Sequence, residues 1–373
     1  MRWVFWCAAV VIGYTYAGYP FWLWVRSRLK PWPVQTGVSE PLVSIVMVVR
    51  NEERALPRKM ENLLALDYPE QGPQIVAVSD GSTDRTESIL REYAHNPRVH
   101  VVLNRLSRGK ASGLNDAFAL AQGEVVVFTD VRQTLEAQSL RLLVRNFADP
   151  QVGCVSGELM LGDPAAGEQN RGMGLYWRIE KTIRDLESAS GSVVGATGAF
   201  YGVRRELLQP IPPETLLDDV YIPMQVVQAG KRVIFESQAR AWDLPDQGTE
   251  REFSRKVRTL SGNYQLLQLQ PWLLRGNNAI RFEFVSHKLL RLIVPFALVA
   301  ALIACAMISQ PFYRAALVLQ IAFYALSLVG LAGIKWGPMA RASDAARTFV
   351  VLNTAAVVAF ANFVTGRKAA WTR

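Results

Sequence analysis

The chain has 373 residues, 50% of them hydrophobic, a mean hydropathy of +0.11 and a formal net charge of +9 at pH 7. That hydropathy is too high for a wholly soluble protein, and its source is local. The positive charge would suit nucleic acid, but no basic stripe interleaved with aromatics exists, so nucleic acid is excluded; anionic lipid headgroups and an anionic substrate account for the charge better.

In chain order, residues 3–25 are almost uncharged and rich in Trp, Phe, Tyr and Val. A helix needs about 20 apolar residues to cross a bilayer core. The run exceeds the ~7–15-residue apolar core of a cleaved signal peptide and lacks a small-residue cleavage site before Arg26, so it is predicted to be a span. Pro31, Pro33 and the polar stretch to Glu40 read as a linker.

From about 40 to 285 the composition is that of a soluble α/β domain. L-V-S-I-V-M-V-V at 42–49 is a continuous apolar run, as expected of a parallel strand buried on both faces. A helical pattern covers 53–65, with Leu56, Met60, Leu63 and Leu64 at helix spacing. Strands follow at 74–79, 99–103 and 124–129, and helices at 84–94, 110–121 and 136–147. Strands alternating with helices predict βαβ units and a mostly parallel sheet. In such sheets ligands bind at the carboxyl ends of the strands.

Those ends carry Arg50, Asn51 and Glu52, then Asp80 beside Gly81, then Asp130. Three strands thus bring carboxylates toward one edge. Asp84 reads as a helix N-cap. In N-R-L-S-R-G-K-A-S-G-L-N-D-A at 104–117, Arg108 and Lys110 flank Gly109 at a helix start, where free backbone N–H groups and two cations suit phosphate.

Further along, 169–190 (with Met173, Leu175, Tyr176, Trp177 and Ile179) reads as an interfacial or acceptor-side helix. Residues 250–270 place Phe253, Val257, Leu260, Tyr264 and Leu267 at helical spacing among charges, predicting an amphipathic helix. Residues 292–313, 315–334 and 348–366 are three more apolar runs of span length. Arg26, Arg28 and Lys30 follow the first run, and Lys288 and Arg291 border the second, so both ends of the soluble domain are expected on the cytoplasmic side. The same rule puts the loop with Lys335, Arg341 and Arg347 there, and leaves Arg367, Lys368 and Arg373 outside, against the bias. Cys7, Cys154 and Cys305 offer no disulfide or zinc spacing, and His95, His100 and His287 form no cluster and read as surface or structural residues.

V-S-I-V-M-V-V-R-N-E-E, V-A-V-S-D-G-S-T-D, S-R-G-K-A-S-G-L-N and F-T-D-V-R resemble, in order and spacing, the family 2 glycosyltransferases. The resemblance continues through G-A-T-G-A-F-Y-G-V-R-R-E (195–206), L-L-D-D-V-Y-I-P (216–223) and R-K-V-R-T (255–259). With its flanking spans the chain looks like the membrane-integrated branch that makes cellulose, chitin, hyaluronan and poly-N-acetylglucosamine. The resemblance implies a GT-A fold over 40–245, between an N-terminal span (1–30), an interfacial region (250–285) and about three C-terminal spans (286–373). It implies nucleotide contacts at Asn51, Glu52, Asp80, Arg108 and Lys110, with Asp80 at the base. It also implies a Mg²⁺ or Mn²⁺ ligand at Asp130, a general base at Asp219 and diphosphate contacts at Arg255 and Arg258.

Two positions depart from the pattern. Arg132 replaces the second Asp of the D-x-D metal motif, and Thr259 replaces the Trp of [Q/R]-x-x-R-W, which removes an aromatic from the expected acceptor surface. The expected function is inverting sugar transfer from a nucleotide donor, UDP-linked, to a glycan or lipid-linked acceptor. The setting is a bacterial-type cytoplasmic membrane, with the catalytic domain cytoplasmic. The alternatives are a non-processive transferase adding one sugar to a lipid, and a catalytically silent nucleotide-sugar-binding assembly partner.

Overall fold

A computed structural model describes residues 1–38, 40–69, 71–162, 175–244, 249–332 and 339–367. Met173, Lys335, Lys368 and Arg373 lie outside the described residues. The chain opens with α1 (Arg2–Gly13), a π-helical turn (Tyr14–Gly18) and α2 (Tyr19–Leu29), together one long apolar helix. Then come β1 (Val43–Val49), α3 (Leu56–Leu64), β2 (Gln74–Asp80), α4 (Thr86–Tyr93), β3 (Val99–Asn104), α5 (Lys110–Leu120) and β4 (Val125–Thr129). The second half of the domain holds β5 (Thr134–Leu135), α6 (Ser139–Val144), β6 (Val152–Leu161), α7 (Leu175–Ser190), β7 (Phe200–Arg204), α8 (Asp218–Gln228) and β8 (Arg232–Asp243). After it come α9 (Thr249–Leu269), α10 (Arg281–Phe284), a second π-helical turn (Val285–Leu289), α11 (Leu290–Met307), α12 (Pro311–Leu331) and α13 (Met339–Val364).

The eight strands form one sheet in the order β3-β2-β1-β4-β7-β6-β8-β5. Its first half, β3-β2-β1-β4, is parallel, as the alternating pattern predicts. The second half is mixed: β7 runs antiparallel to both β4 and β6, β8 is parallel to β6, and β5 is antiparallel to β8. All seven residues of β1 are buried because helices cover both faces. Val46 and Val48 face one core with Leu114, Ala117 and Val220, while Ile45 and Met47 face the other with Leu56, Met60 and Leu90. Fully burying each such side chain stabilises the fold by about 1.5–3 kcal/mol.

Helix α3 shows how the sequence builds this packing. Leu56, Lys59, Met60 and Leu63 recur at helical spacing, and all four are buried against the sheet. The 136–147 stretch, expected as one helix, is shorter. Thr134–Leu135 pairs with β8, and the helix proper gives way to a 3₁₀ turn at Arg145–Ala148.

Among the described residues, four helices are long and apolar enough to cross a membrane: Arg2–Leu29, Arg281–Met307, Pro311–Leu331 and Ala340–Val364. Each overlaps one of the four predicted runs, but the second begins at Arg281 and ends at Met307, so residues 308–310 break the run expected over 292–313. The helices expose Trp3, Phe21, Ile293, Val318 and Leu319. Aromatic contacts join the helices, with the Phe5 and Tyr313 rings 5.0 Å apart edge to face. Helix α9 docks on α13 through Tyr264, which stacks on Phe363 at 5.2 Å. The expected stretch 169–190 is helical over its described part, α7, which packs on α2.

Candidate active site

The carboxyl ends of β1, β2 and β4 meet at one edge, and side chains knit them together. Asn51 takes a left-handed conformation (φ 54°), so the chain leaving β1 turns sharply. Its Oδ1 accepts the Thr83 N–H at 2.8 Å, and its own N–H donates to Ser82 Oγ. The Glu52 N–H donates to Thr86 Oγ1 at 2.8 Å. The Glu52 carboxyl is raised above the usual range, by burial first and by Asp130 and Asp84 besides, against the pull of Arg132. Asp84 accepts the Thr86 N–H at 2.9 Å, but the N-cap of α4 is Arg85, so Asp84 lies one residue before the cap position expected for it.

Asp80 is fully buried, and its carboxylate accepts the Arg108 N–H at 2.7 Å, the Gly109 N–H at 3.0 Å and the Ser107 hydroxyl at 2.7 Å. Both oxygens hold the 107–109 loop against the end of β2. The cause is close approach: Gly81 (φ 64°) lies against this loop, where a Cβ would come within 2.5 Å of the Ser107 nitrogen. Gly109 (φ 91°) then turns the chain into α5. The Arg108 guanidinium pairs with Asp116 on α5.

Lys110, the first residue of α5, is the centre of the site. Its Nζ lies 3.0 Å from Asp130 Oδ1 and 3.2 Å from Asp218 Oδ2. Burial works against its charge, but Asp130 and Asp218 outweigh it and hold the ammonium above the usual lysine range. One cation thus ties the end of β4 to the start of α8. Asp219 stands next to this pair. Burial and the adjacent Asp218 push its carboxyl from 3.8 up to about 6, against the pull of Lys110 and Lys288.

Helix α9 closes over the start of α8. Gly262 packs against Leu217, and Gln265 Oε1 accepts the Leu216 N–H at 2.9 Å while its amide donates to the Glu214 carbonyl at 2.8 Å. Arg255, Arg258, Gly262 and Gln265 recur at spacings of three and four, so both arginines share the helix face that meets residues 214–217, just before α8. Arg258 Nε is buried without a hydrogen-bond partner. Thr259 is exposed on another face.

Arg132 pairs with Asp243 Oδ2 at 3.2 Å, at the end of β8, and Gln133 donates to the same oxygen at 2.9 Å. Among the described residues no three His, Cys, Asp or Glu side chains form a metal-binding group. Asp130, whose side chain is 42% exposed, is the hard oxygen donor at the strand edge. Mg²⁺ sites commonly use one or two carboxylates plus substrate phosphates and water, so this donor set fits such an ion through a single protein ligand.

One residue at this edge escaped the sequence reading, and the pairing of Asp218 with Lys110 depends on the fold. Lys59 is 1% exposed behind Asp130, and its Nζ donates to Thr129 Oγ1 and the Gln133 carbonyl, both at 2.8 Å. Burial pushes its ammonium down to about 7, although Asp130 opposes this. A signal existed: a lysine on the apolar face of α3, three residues after Leu56 and four before Leu63.

Comparison with known proteins places this geometry. Residues 44–211 match the model of glycosyl transferase family 2. The chain is 27% identical over 204 residues to beta-monoglucosyldiacylglycerol synthase of Synechocystis sp., covering 52% of this chain and 43% of that protein. It is 22% identical over 239 residues to poly-beta-1,6-N-acetyl-D-glucosamine synthase of Staphylococcus epidermidis, covering 62% and 56%. The chain therefore spans about half the length of the curated relatives it matches. Among solved structures, the mannosyltransferase PcManGT from Pyrobaculum calidifontis, in complex with GDP-Man and Mn2+, shares the fold with a TM-score of 0.75 at 23% identity, over 98% of this chain and 99% of that one. Residues 44–211 are thus a glycosyltransferase family 2 domain, in a GT-A fold flanked by helices long and apolar enough to cross a membrane.

Proposed function

We propose that the chain is a membrane-integrated glycosyltransferase that moves a sugar from a nucleotide donor to an acceptor hydroxyl, in one displacement that inverts the anomeric centre. The observation carrying this reading is Lys110 bridging Asp130 and Asp218, with Asp219 raised to about 6 beside them. Transfer requires positive charge where a diphosphate leaves and a carboxylate where a hydroxyl loses its proton. Lys110, Arg255 and Arg258 supply the first, from the α5 start and from α9. Asp219 supplies the second, because a carboxyl titrating near 6 is ionised at neutral pH yet more basic than an ordinary Asp.

Asn51 and Glu52 line the nucleoside side of the strand edge. Asp80 acts through the 107–109 loop, which sets Arg108 and the following Lys110 toward the donor phosphates. The Mn2+ carried by PcManGT supports a divalent cation here, with Asp130 holding it alongside diphosphate oxygens and water. When bound it neutralises the leaving diphosphate. UDP is the expected nucleotide, and the GDP-Man held by PcManGT makes GDP-sugars the necessary comparison. Arg26 and Arg28 at the end of the first span, and Lys288 and Arg291 at the start of the second, support a cytoplasmic catalytic domain.

The acceptor is a glycan or a lipid, in line with the names of the two relatives. Thr259, exposed where an aromatic was expected, favours addition of single sugars over processive synthesis. The test is a panel of UDP- and GDP-sugars offered to the purified full chain with Mg²⁺ or Mn²⁺, with products read by mass spectrometry and anomeric configuration by NMR. Turnover that disappears in Asp219→Asn supports the reading. No donor hydrolysis by wild type with any sugar of the panel leaves a silent nucleotide-sugar-binding partner as the better account.

A further inference from the structure

Helix α3 does more than cover the sheet: three of its polar side chains grip the segment that carries Asp130. Arg58, Lys59 and Asn62 lie at spacings of one, three and four, so they share one side of the helix. The Arg58 guanidinium donates to the Arg132 carbonyl at 2.9 Å. Lys59 Nζ donates to Thr129 Oγ1 and to the Gln133 carbonyl, one residue before Asp130 and three after it. Asn62 Nδ2 donates to the Leu135 carbonyl at 2.8 Å, and its Oδ1 accepts the Leu135 N–H at 2.9 Å. The Thr129 hydroxyl in turn donates to the Ala199 carbonyl at 2.9 Å, beside β7. One helix thus holds the chain on both sides of Asp130.

Lys59 is the costly member of this clamp. It is 1% exposed, and its ammonium meets a hydroxyl and a carbonyl, with no ion-pair carboxylate among the described residues. A buried ammonium with neutral partners lowers stability, and a methionine of similar length would fill the same space without that penalty. What the lysine adds is two directed donors at the turn where one oxygen must stand in a fixed place. The need is acute here. Arg132 occupies the position where a second carboxylate would chelate, and its guanidinium is taken up by Asp243. A cation held by Asp130 alone has no chelating neighbour to orient that carboxylate, so the backbone beneath it must do so.

We propose that Lys59, with Asn62 beside it, is a positioning residue for Asp130, fixing the carboxylate for the divalent cation and so for the donor diphosphate. This rests on the reading of Asp130 given above.

The test titrates the full chain, in phosphatidylcholine nanodiscs with UDP or GDP present, with Mn²⁺, following free Mn²⁺ by EPR. Lys59→Met and Asn62→Leu are each expected to weaken Mn²⁺ binding about tenfold, the lower end of what partners behind a metal ligand contribute. Transfer assays should show the donor KM rising more than kcat falls, at a Tm near that of wild type. The sign in Lys59→Met is decisive. Deleting a nearby positive charge by itself tightens a bound cation, so weaker binding reports lost positioning. Asn62→Leu changes no charge and carries the test if Lys59→Met does not fold. Binding that is unchanged or tighter in either folded variant overturns the proposal, as does weakening that only tracks loss of folded protein. Asp130→Asn separates the two readings. If it abolishes Mn²⁺ binding while Lys59→Met and Asn62→Leu leave binding intact, Asp130 keeps its role and the clamp loses its own. If Asp130→Asn binds Mn²⁺ as wild type does, the Asp130 reading falls and the proposal falls with it.

Discussion

Two clusters of buried charge, one at the strand edge and one between α7 and the spans, are built differently. In the second, His287 sits between two glutamates, with Nδ1 2.8 Å from Glu187 Oε1 and Nε2 3.1 Å from Glu180 Oε1. The Tyr19 hydroxyl donates to Glu187 at 2.6 Å, and Arg291 pairs with Glu180 at 2.7 Å. Burial works against the Glu180 charge, but Arg291 and His287 prevail and hold its carboxyl well below the usual range. At the strand edge, Asp218 and Asp219 are adjacent carboxylates whose nearby lysines, Lys110 and Lys288, do not offset burial, and Asp219 is pushed up. Satisfied charge fixes helices in place; under-compensated charge stores basicity. The first arrangement suits architecture and the second chemistry.

This contrast can be broken at either end. The largest expected effect is Asp219→Asn, which should lower transfer by about 10²–10⁴-fold, the usual share of a general base. The same substitution should not lower thermal stability. Between pH 3.8 and about 6 the folded state binds more protons at Asp219 than the unfolded chain does, so its contribution falls as pH rises through 6. At pH 7 Asn therefore removes a cost and Tm should stay equal or rise, with the difference vanishing below about pH 4. Wild-type transfer should fall as pH drops through about 6.

Glu187→Ala reverses that pattern. Removing one partner from a buried ionic network costs about 3–5 kcal/mol, so thermal unfolding should shift down clearly, with activity falling only as folded protein is lost. An unchanged Tm would mean that the network does not hold α7 to the spans. A smaller effect belongs to Lys110→Met. It unties Asp130 from Asp218 and should raise the donor KM by about tenfold, as expected for one charge-assisted contact; an unchanged KM would remove Lys110 from the phosphate side. The smallest expected change is at Arg132→Asp. Because Arg132 pairs with Asp243, this variant sets two carboxylates near one another, and metal titration should show affinity rising only if position 132 can turn toward Asp130.

The parallel half of the sheet was legible because its strands are continuous apolar runs punctuated by helices with clear period. The other half was not, since β6 is interrupted by Gly153 and Gly157 and β8 mixes Glu236, Gln238 and Arg240 into its length. Asn51, Glu52, Asp80, Asp130 and Asp219 could be picked out as candidates because strand ends and helix starts are where a doubly covered sheet exposes polar groups. The hold of Asp80 on the 107–109 loop was not legible, because Gly81 permits a loop approach that no local pattern reveals.

The sequence alone determined four apolar helices, the alternating strands and the types of residue at their ends, because hydrophobic periodicity and turn chemistry act over a few neighbouring residues. Tertiary structure alone decided that Lys110 joins Asp130 to Asp218, 88 residues apart, and that Arg132 is taken up by Asp243. Those pairings follow from strand order and helix docking, which depend on how whole surfaces fit and not on the spacing within any one segment.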